Sequence, residues 1–401
     1  MDTKSRNVRY LVLEIAFFGV LSGIVGTFLS VYALRLGATS QDIGLLSALP
    51  ALVTLIFLIP AGRFLERYAD ILRPTVVVGF LQRTQYLLIA LIAILPIAVR
   101  VPALIAIVAV GAIAAAIGSV AFTVIFGMIV PEADRPRVVS TRNLLGGLTS
   151  AVTAIVAGQL LEIGILPFPW NYSLLFLLGF AFSLVSLWFV SKLAAPPVER
   201  PSGSIGSPLH INQIIATVRS TRPFMRYTVA TFVANWAIYV PIPLYSLYYV
   251  RVLNMGDSWI GLITTVGWIV PMFFYPSWAR LAERFGNRIM ASIGCLGLAL
   301  FPLTTALSPS QEFLLIPAVL GGIFMPPWSI GMYNGLFQVI PRTGQPTYIS
   351  VHTAAMNLAA FTAPLLSTAI VVPLIGIGPA LLVGAVLRAA GGIAMYLLLN
   401  K

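Results

Sequence analysis

Along the chain, apolar runs of 20–30 residues alternate with short polar segments. Val101 to Pro131, Phe313 to Pro341 and Thr343 to Leu387 contain no Asp, Glu, Lys or Arg. A helix needs about 20 apolar residues to cross the hydrocarbon core of a bilayer. The pattern predicts spans at about 8–36, 42–61, 74–98, 102–130, 138–162, 170–193, 224–252, 258–278, 288–308, 312–340, 347–374 and 378–399. The last charge-free stretch is cut in two by Pro373, Gly376, Gly378 and Pro379. The first run is too long for the core of a cleaved signal peptide, and no Ala-x-Ala site closes it, so it reads as a retained helix. The fold class is all-α integral membrane, with twelve helices in two pseudo-symmetric six-helix bundles.

Composition narrows the function. Of the 401 residues, 59% are hydrophobic and 9% charged, whereas soluble proteins carry roughly 25% charged residues. Mean hydropathy is +0.97. This excludes a soluble enzyme, a nucleic-acid-binding domain and a disordered chain. The lipid bilayer is the expected partner. The net charge of +12 reads as topology. With the N-terminus inside, nineteen Lys and Arg fall in inner segments, and only Arg35, Arg100 and Arg251 in outer ones. Basic residues collect in cytoplasmic loops, so both termini are expected in the cytoplasm, at the plasma (inner) membrane.

The chain also repeats itself. Leu36-Gly-Ala-Thr-Ser-Gln-Asp-Ile43-Gly44-Leu45 returns as Leu253-Asn-Met-Gly-Asp-Ser-Trp-Ile260-Gly261-Leu262. Gly62-Arg63-Phe-Leu-Glu66-Arg67-Tyr68-Ala69 returns at the same offset as Ala279-Arg280-Leu-Ala-Glu283-Arg284-Phe285-Gly286. Pro131, Pro136 and Ser140 correspond to Pro341, Pro346 and Ser350. The order is preserved, so the halves are parallel repeats. The domains expected are a bundle at 1–193, a cytoplasmic linker at 194–222 and a second bundle at 223–401. In the linker, Ile211, Ile214, Ile215 and Val218 recur at helical spacing and predict a short interfacial helix.

On these residues the chain resembles the major facilitator superfamily over its whole length. That family's loop motif, Gly-x-x-x-Asp-Arg-x-Gly-Arg-Arg, stands here as Gly62-x-x-x-Glu66-Arg67 and as Ala279-x-x-x-Glu283-Arg284-Phe285-Gly286-Asn287-Arg288. Glu replaces Asp in both copies. The antiporter motif built on Gly-Pro is absent, and its place is taken by Gly146-Gly147-Leu-Thr-Ser-Ala-Val-Thr. The resemblance implies a secondary transporter working by alternating access, with export one direction it can serve. It implies that Gly62, Glu66, Arg67, Glu283, Arg284 and Gly286 serve the cytoplasmic gate. It also implies that helices 1, 4, 7 and 10 line a central cavity for a small organic solute, flanked by 2, 5, 8 and 11. An uncoupled facilitator, a non-transporting receptor or scaffold, and a channel are the rival functions. No ring of acids or selectivity loop favours the channel.

Candidate chemistry is sparse. The three lysines, Lys4, Lys192 and Lys401, lie outside any Gly-x-x-x-x-Gly-Lys loop, so no P-loop is encoded. His210, His352 and the single Cys295 make no metal set. No Gly-x-Ser-x-Gly elbow occurs. We expect no enzyme activity, cofactor, metal or nucleic-acid partner, and a monomer. Three charges fall within spans, where each costs about 2.5–3.5 kcal/mol: Glu14, Arg83 and Arg388. Glu14 is the sole acid placed there. It is read as paired with a neighbouring Arg or reaching headgroup water, and its competing role is to carry coupling protons. Its angular position sets it apart from the helix 1 stripe Gly19, Ser22, Gly23, Gly26, Thr27 and Ser30, so the two should face different surroundings. Arg83 and Arg388 sit on small-residue faces, which pack against other helices. Candidate cavity residues are Ser119, Phe122 and Phe126 in helix 4, and Arg142 and Thr149 in helix 5. Asn235 and Tyr239 in helix 7, Trp328 and Asn334 in helix 10, and His352 complete the set. Being mostly neutral and aromatic, they favour an uncharged or amphiphilic solute.

Overall fold

The computed structural model describes residues 3–68, 70–194, 221–341 and 345–399. The interfacial helix expected at 211–218 lies outside them. Among the described residues, twelve helices are long and apolar enough to cross a membrane. They are α1 Thr3–Arg35, α2 Ser40–Leu65, α3 Leu72–Ile94, α4 Ile97–Ile129, α5 Arg135–Ile163 and α6 Trp170–Ser191. Then follow α7 Arg222–Val252, α8 Asp257–Phe285, α9 Asn287–Ala306, α10 Leu315–Val339, α11 Thr347–Ile375 and α12 Ile377–Leu398. Helix is what a spanning segment must adopt, because lipid offers no partner for a bare N–H or C=O. The chain is a multi-pass integral membrane protein.

The punctuation follows the sequence. Thr39 caps α2 in a reciprocal box: its hydroxyl accepts the Asp42 N–H, and the Asp42 carboxylate accepts the Thr39 N–H at 2.8 Å. Pro241 and Pro243 break α7, which runs regularly to Tyr239, restarts at Ile242–Leu247 and ends in a π-turn at Tyr248–Val252. The repeat is visible in the backbone. Gly37 and Asn254 hold matched places after α1 and α7, and both have positive φ, +96° and +47°. Glycine and asparagine tolerate that left-handed closing residue best.

Two compact units form. Unit 1 holds residues 1–200 together with Asn254–Ile269, and unit 2 holds 201–253 and 270–401. In unit 1, α1 packs on α5 and α6, and α3 packs on α4 and α6. In unit 2, α7 packs on α11 and α12, and α9 packs on α10 and α12. The second set is the first with six added to each number, so these four contacts have been built twice, whereas the α2–α4 contact of unit 1 has no such counterpart among the described residues of unit 2. The boundary at 269/270 falls inside α8. The start of that helix, from the second sequence repeat, belongs to the unit built by the first.

Candidate functional site

Small residues bring backbones together at the centre of unit 1. A Cβ on Gly19 of α1 would overlap the Thr149 side chain of α5, and one on Gly23 would stand 3.0 Å from the Thr153 Cβ. Ser150 donates to the Gly19 carbonyl at 2.9 Å. Thr149 donates to its own helix, to Leu145 at 2.9 Å. One turn further towards the N-terminus on the same α1–α5 contact lies the buried charge. Glu14 is 6% exposed and Arg142 8%. Arg142 Nη1 approaches Glu14 Oε2 at 2.8 Å and also donates to the Leu11 carbonyl. Its guanidinium lies 4.8 Å from the centroid of Phe122, which leans on Phe126. Ser186 of α6 donates to Glu14 Oε1 at 3.2 Å and accepts from Arg83 Nη2 at 3.3 Å. Arg83 spends its other donors on the carbonyls of Ser183 at 2.7 Å and Gly79 at 3.0 Å. Two arginines therefore share one carboxylate through a serine hydroxyl. Glu14 and the small stripe both meet α5, rather than different surroundings. The angle read along α1 alone leaves out the long Arg142 side chain, which reaches round to the acid.

In unit 2 the polar side chains gathered around α7 are an amide, a phenol, an indole and an imidazole. Asn235 of α7 donates to the Thr231 carbonyl at 2.9 Å and to the Met356 sulfur at 3.1 Å, with the Met332 sulfur at 3.9 Å. Tyr227 donates to the Met332 carbonyl, and its ring lies 5.8 Å from that of His352. The His352 Nδ1 is buried, with no hydrogen-bond partner among the described residues. Trp236 donates to Thr362 at 3.2 Å. Trp328 is buried, its backbone set against Gly294 of α9 so closely that no Cβ fits there. Tyr239 is half-buried, and Asn334 and Ser119 are exposed. Arg388 donates from Nη1 to the Leu298 carbonyl at 2.9 Å and from Nη2 to the Ile238 carbonyl at 2.7 Å, near the Tyr245 ring, while its buried Nε has no hydrogen-bond partner among the described residues. Thus Glu14, Arg142, Arg83 and Phe122 form one group, and Asn235 and His352 belong to another. Sequence reasoning did not single out Ser186, Tyr227, Met332 or Met356. Met356 sits one turn after His352, which is the single sequence signal for it.

At the loops after α2 and α8, Glu66, Arg67, Glu283 and Arg284 are all exposed, and Arg284 lies 5.3 Å over the Phe285 ring. Gly62 is half-buried with open space at its Cβ position. Gly286 starts α9 at φ +81°, a value that favours glycine. Among the described residues, no group of three or more His, Cys, Asp or Glu could hold a metal ion.

A family profile described as Major Facilitator Superfamily matches residues 11–258 and again 227–401. Several transporters are among the similar solved structures. A variant of the nucleoside transporter NupG aligns at TM-score 0.78 and 12% identity, covering 100% of both chains. The D-xylose–proton symporter aligns at 0.73 and 15%, covering 98% of each. A bacterial homologue of the iron transporter ferroportin, in an inward-facing state, aligns at 0.70 and 14%, covering 99% of each. No curated protein matches the chain in sequence.

Proposed function

Because the chain belongs to the major facilitator superfamily, we propose that it is a secondary transporter moving a small organic solute by alternating access, without covalent chemistry. The observation that carries this reading is the duplicated packing. The α1–α5, α1–α6, α3–α6 and α3–α4 contacts return as α7–α11, α7–α12, α9–α12 and α9–α10. Two bodies whose main helix contacts follow one plan can move while most of each interior stays packed. The solute is uncharged or amphiphilic. The spanning part of unit 2 holds Arg388 against carbonyls, and its Asn235, Tyr227 and His352 groups are neutral hydrogen-bonding handles among thioethers. Counterflow of a panel of labelled neutral solutes into proteoliposomes tests the reading. Saturable exchange supports it. Conductance without counterflow would favour a channel, and neither would favour a scaffold.

Coupling to protons would need a group that titrates while facing each side in turn. Glu14 is engaged by Arg142 and Ser186 inside unit 1. We read it as structural. Any proton coupling would then have to use another group.

The inner gate is assigned to Gly62, Glu66, Arg67, Glu283, Arg284 and Gly286. Exposed acids and arginines at matched places in the two repeats are suited to pair in one state and part in the other. Glu66→Gln and Glu283→Gln should therefore favour the inward-open state and slow exchange severalfold while leaving the protein folded. Unchanged cysteine accessibility and unchanged flux in both variants would remove the assignment. Both termini are placed in the cytoplasm. Reporters fused after Lys401 and within 200–208 should both report inside, and an outside signal from either contradicts this topology.

A further inference from the structure

The start of α8 is fixed into unit 1 by a compact set of polar contacts that the gate above does not use. Arg35, the last residue of α1, places Nη2 2.9 Å from Asp257 Oδ1 and 2.8 Å from the Met255 carbonyl, with Nε 3.3 Å from Oδ1. One guanidinium thus holds both the carboxylate and the backbone ahead of α8. Tyr172 of α6 stacks on Tyr32 in the last turns of α1 at 4.9 Å, with its hydroxyl buried. Glu162, at the end of α5, accepts the Ser258 N–H at 3.1 Å. That is an acid on an open helix N-terminus, where it is favoured. Thr265 donates to the Ala151 carbonyl of α5 at 2.8 Å.

Between these points the two backbones touch. A Cβ on Gly158 would stand 2.6 Å from the Asp257 carbonyl, and one on Gly261 would overlap the Ala154 carbonyl. Small, smooth faces can separate and meet again without side chains unlocking from one another. Separation has a bend point. Pro271 lies two residues past the unit boundary and has no N–H to give the carbonyl one turn back, so α8 is weakest there.

We propose that residues 255–265 are a releasable outer latch, held shut by Arg35, Asp257 and Glu162, and that its release opens the carrier to the outside. This rests on the alternating-access reading and adds which contacts break. The pair is partly open to water, with side chains 27% and 11% exposed. It is therefore strong enough to bias a two-state equilibrium of a few kcal/mol, yet weak enough to be broken in each cycle.

The test uses the full-length protein in a Cys295→Ala background, with Thr265→Cys as the reporter. A membrane-impermeant maleimide is applied from outside to right-side-out vesicles. The reporter should label slowly in the parent and at least tenfold faster in Asp257→Asn and in Arg35→Gln. The exchange Arg35→Asp with Asp257→Arg should return labelling towards the parent rate, which simple misfolding would not do. A swap that labels as fast as the single variants overturns the charge pairing. Equal rates in parent and single variants overturn the latch, and leave the carrier reading standing. That reading fails separately, if no neutral solute exchanges through the parent protein.

Discussion

Glu14→Gln should cost about 3–5 kcal/mol of stability, because it leaves buried charge uncompensated. The parent shares one carboxylate among Arg142, Ser186 and, through Ser186, Arg83. With the carboxylate neutralised, two buried arginines face one another across a serine, with carbonyls as their remaining partners. The variant should show a lower thermal midpoint in detergent and poorer recovery of monodisperse protein. Glu14→Gln with Arg142→Gln should recover part of the loss, because a buried pair removed whole costs less than a pair broken. The variant that survives purification should exchange solute with the parent's response to a pH gradient. If counterflow persists while the gradient no longer drives uptake, Glu14 is the coupling acid and its structural role is wrong.

The same added methyl should have opposite consequences at two glycines. At Gly294 a Cβ would run into the backbone of Trp328, inside the α9–α10 contact of unit 2. Neither helix can yield without opening the core that holds Ala291, Cys295 and Trp328. Gly294→Ala should therefore destabilise the protein by about 1–3 kcal/mol, as overpacking does. At Gly261 a Cβ would stand 2.4 Å from the Ala154 carbonyl oxygen, but here the latch can open. Gly261→Ala should leave the thermal midpoint near the parent's and raise outside labelling of Thr265→Cys. Equal destabilisation by the two substitutions would mean that the start of α8 is fixed core.

These contrasts mark what the sequence could and could not carry. Charge-free runs and the repeated segments at 36–45 and 253–262 locate the helices, because lipid imposes length and apolarity on each span by itself. The break in α7 follows from Pro241 and Pro243, since proline acts on its own helix. The expectation that Glu14 pairs with an arginine came from the cost of a lone charge, but no local spacing pointed to Arg142, 128 positions away. Arg35 reads only as an outer charge, and nothing in the sequence joins it to Asp257, because their meeting depends on the path of α8 into unit 1. Met332 and Met356 carry no charge or motif that marks them in the sequence. Their sulfurs gain meaning only once Asn235 is seen to donate towards them.

The central claim is that the protein occupies two states and that the outer latch sets their balance. Spin labels at Tyr68→Cys and Phe285→Cys, exposed positions beside the assigned gate on the loops after α2 and α8, test it without any solute. The account predicts two populations of inter-label distance by pulsed electron resonance, with Asp257→Asn shifting weight from the longer to the shorter as the outer side is freed to open. A single distance distribution, the same in the parent and in Asp257→Asn, would contradict it.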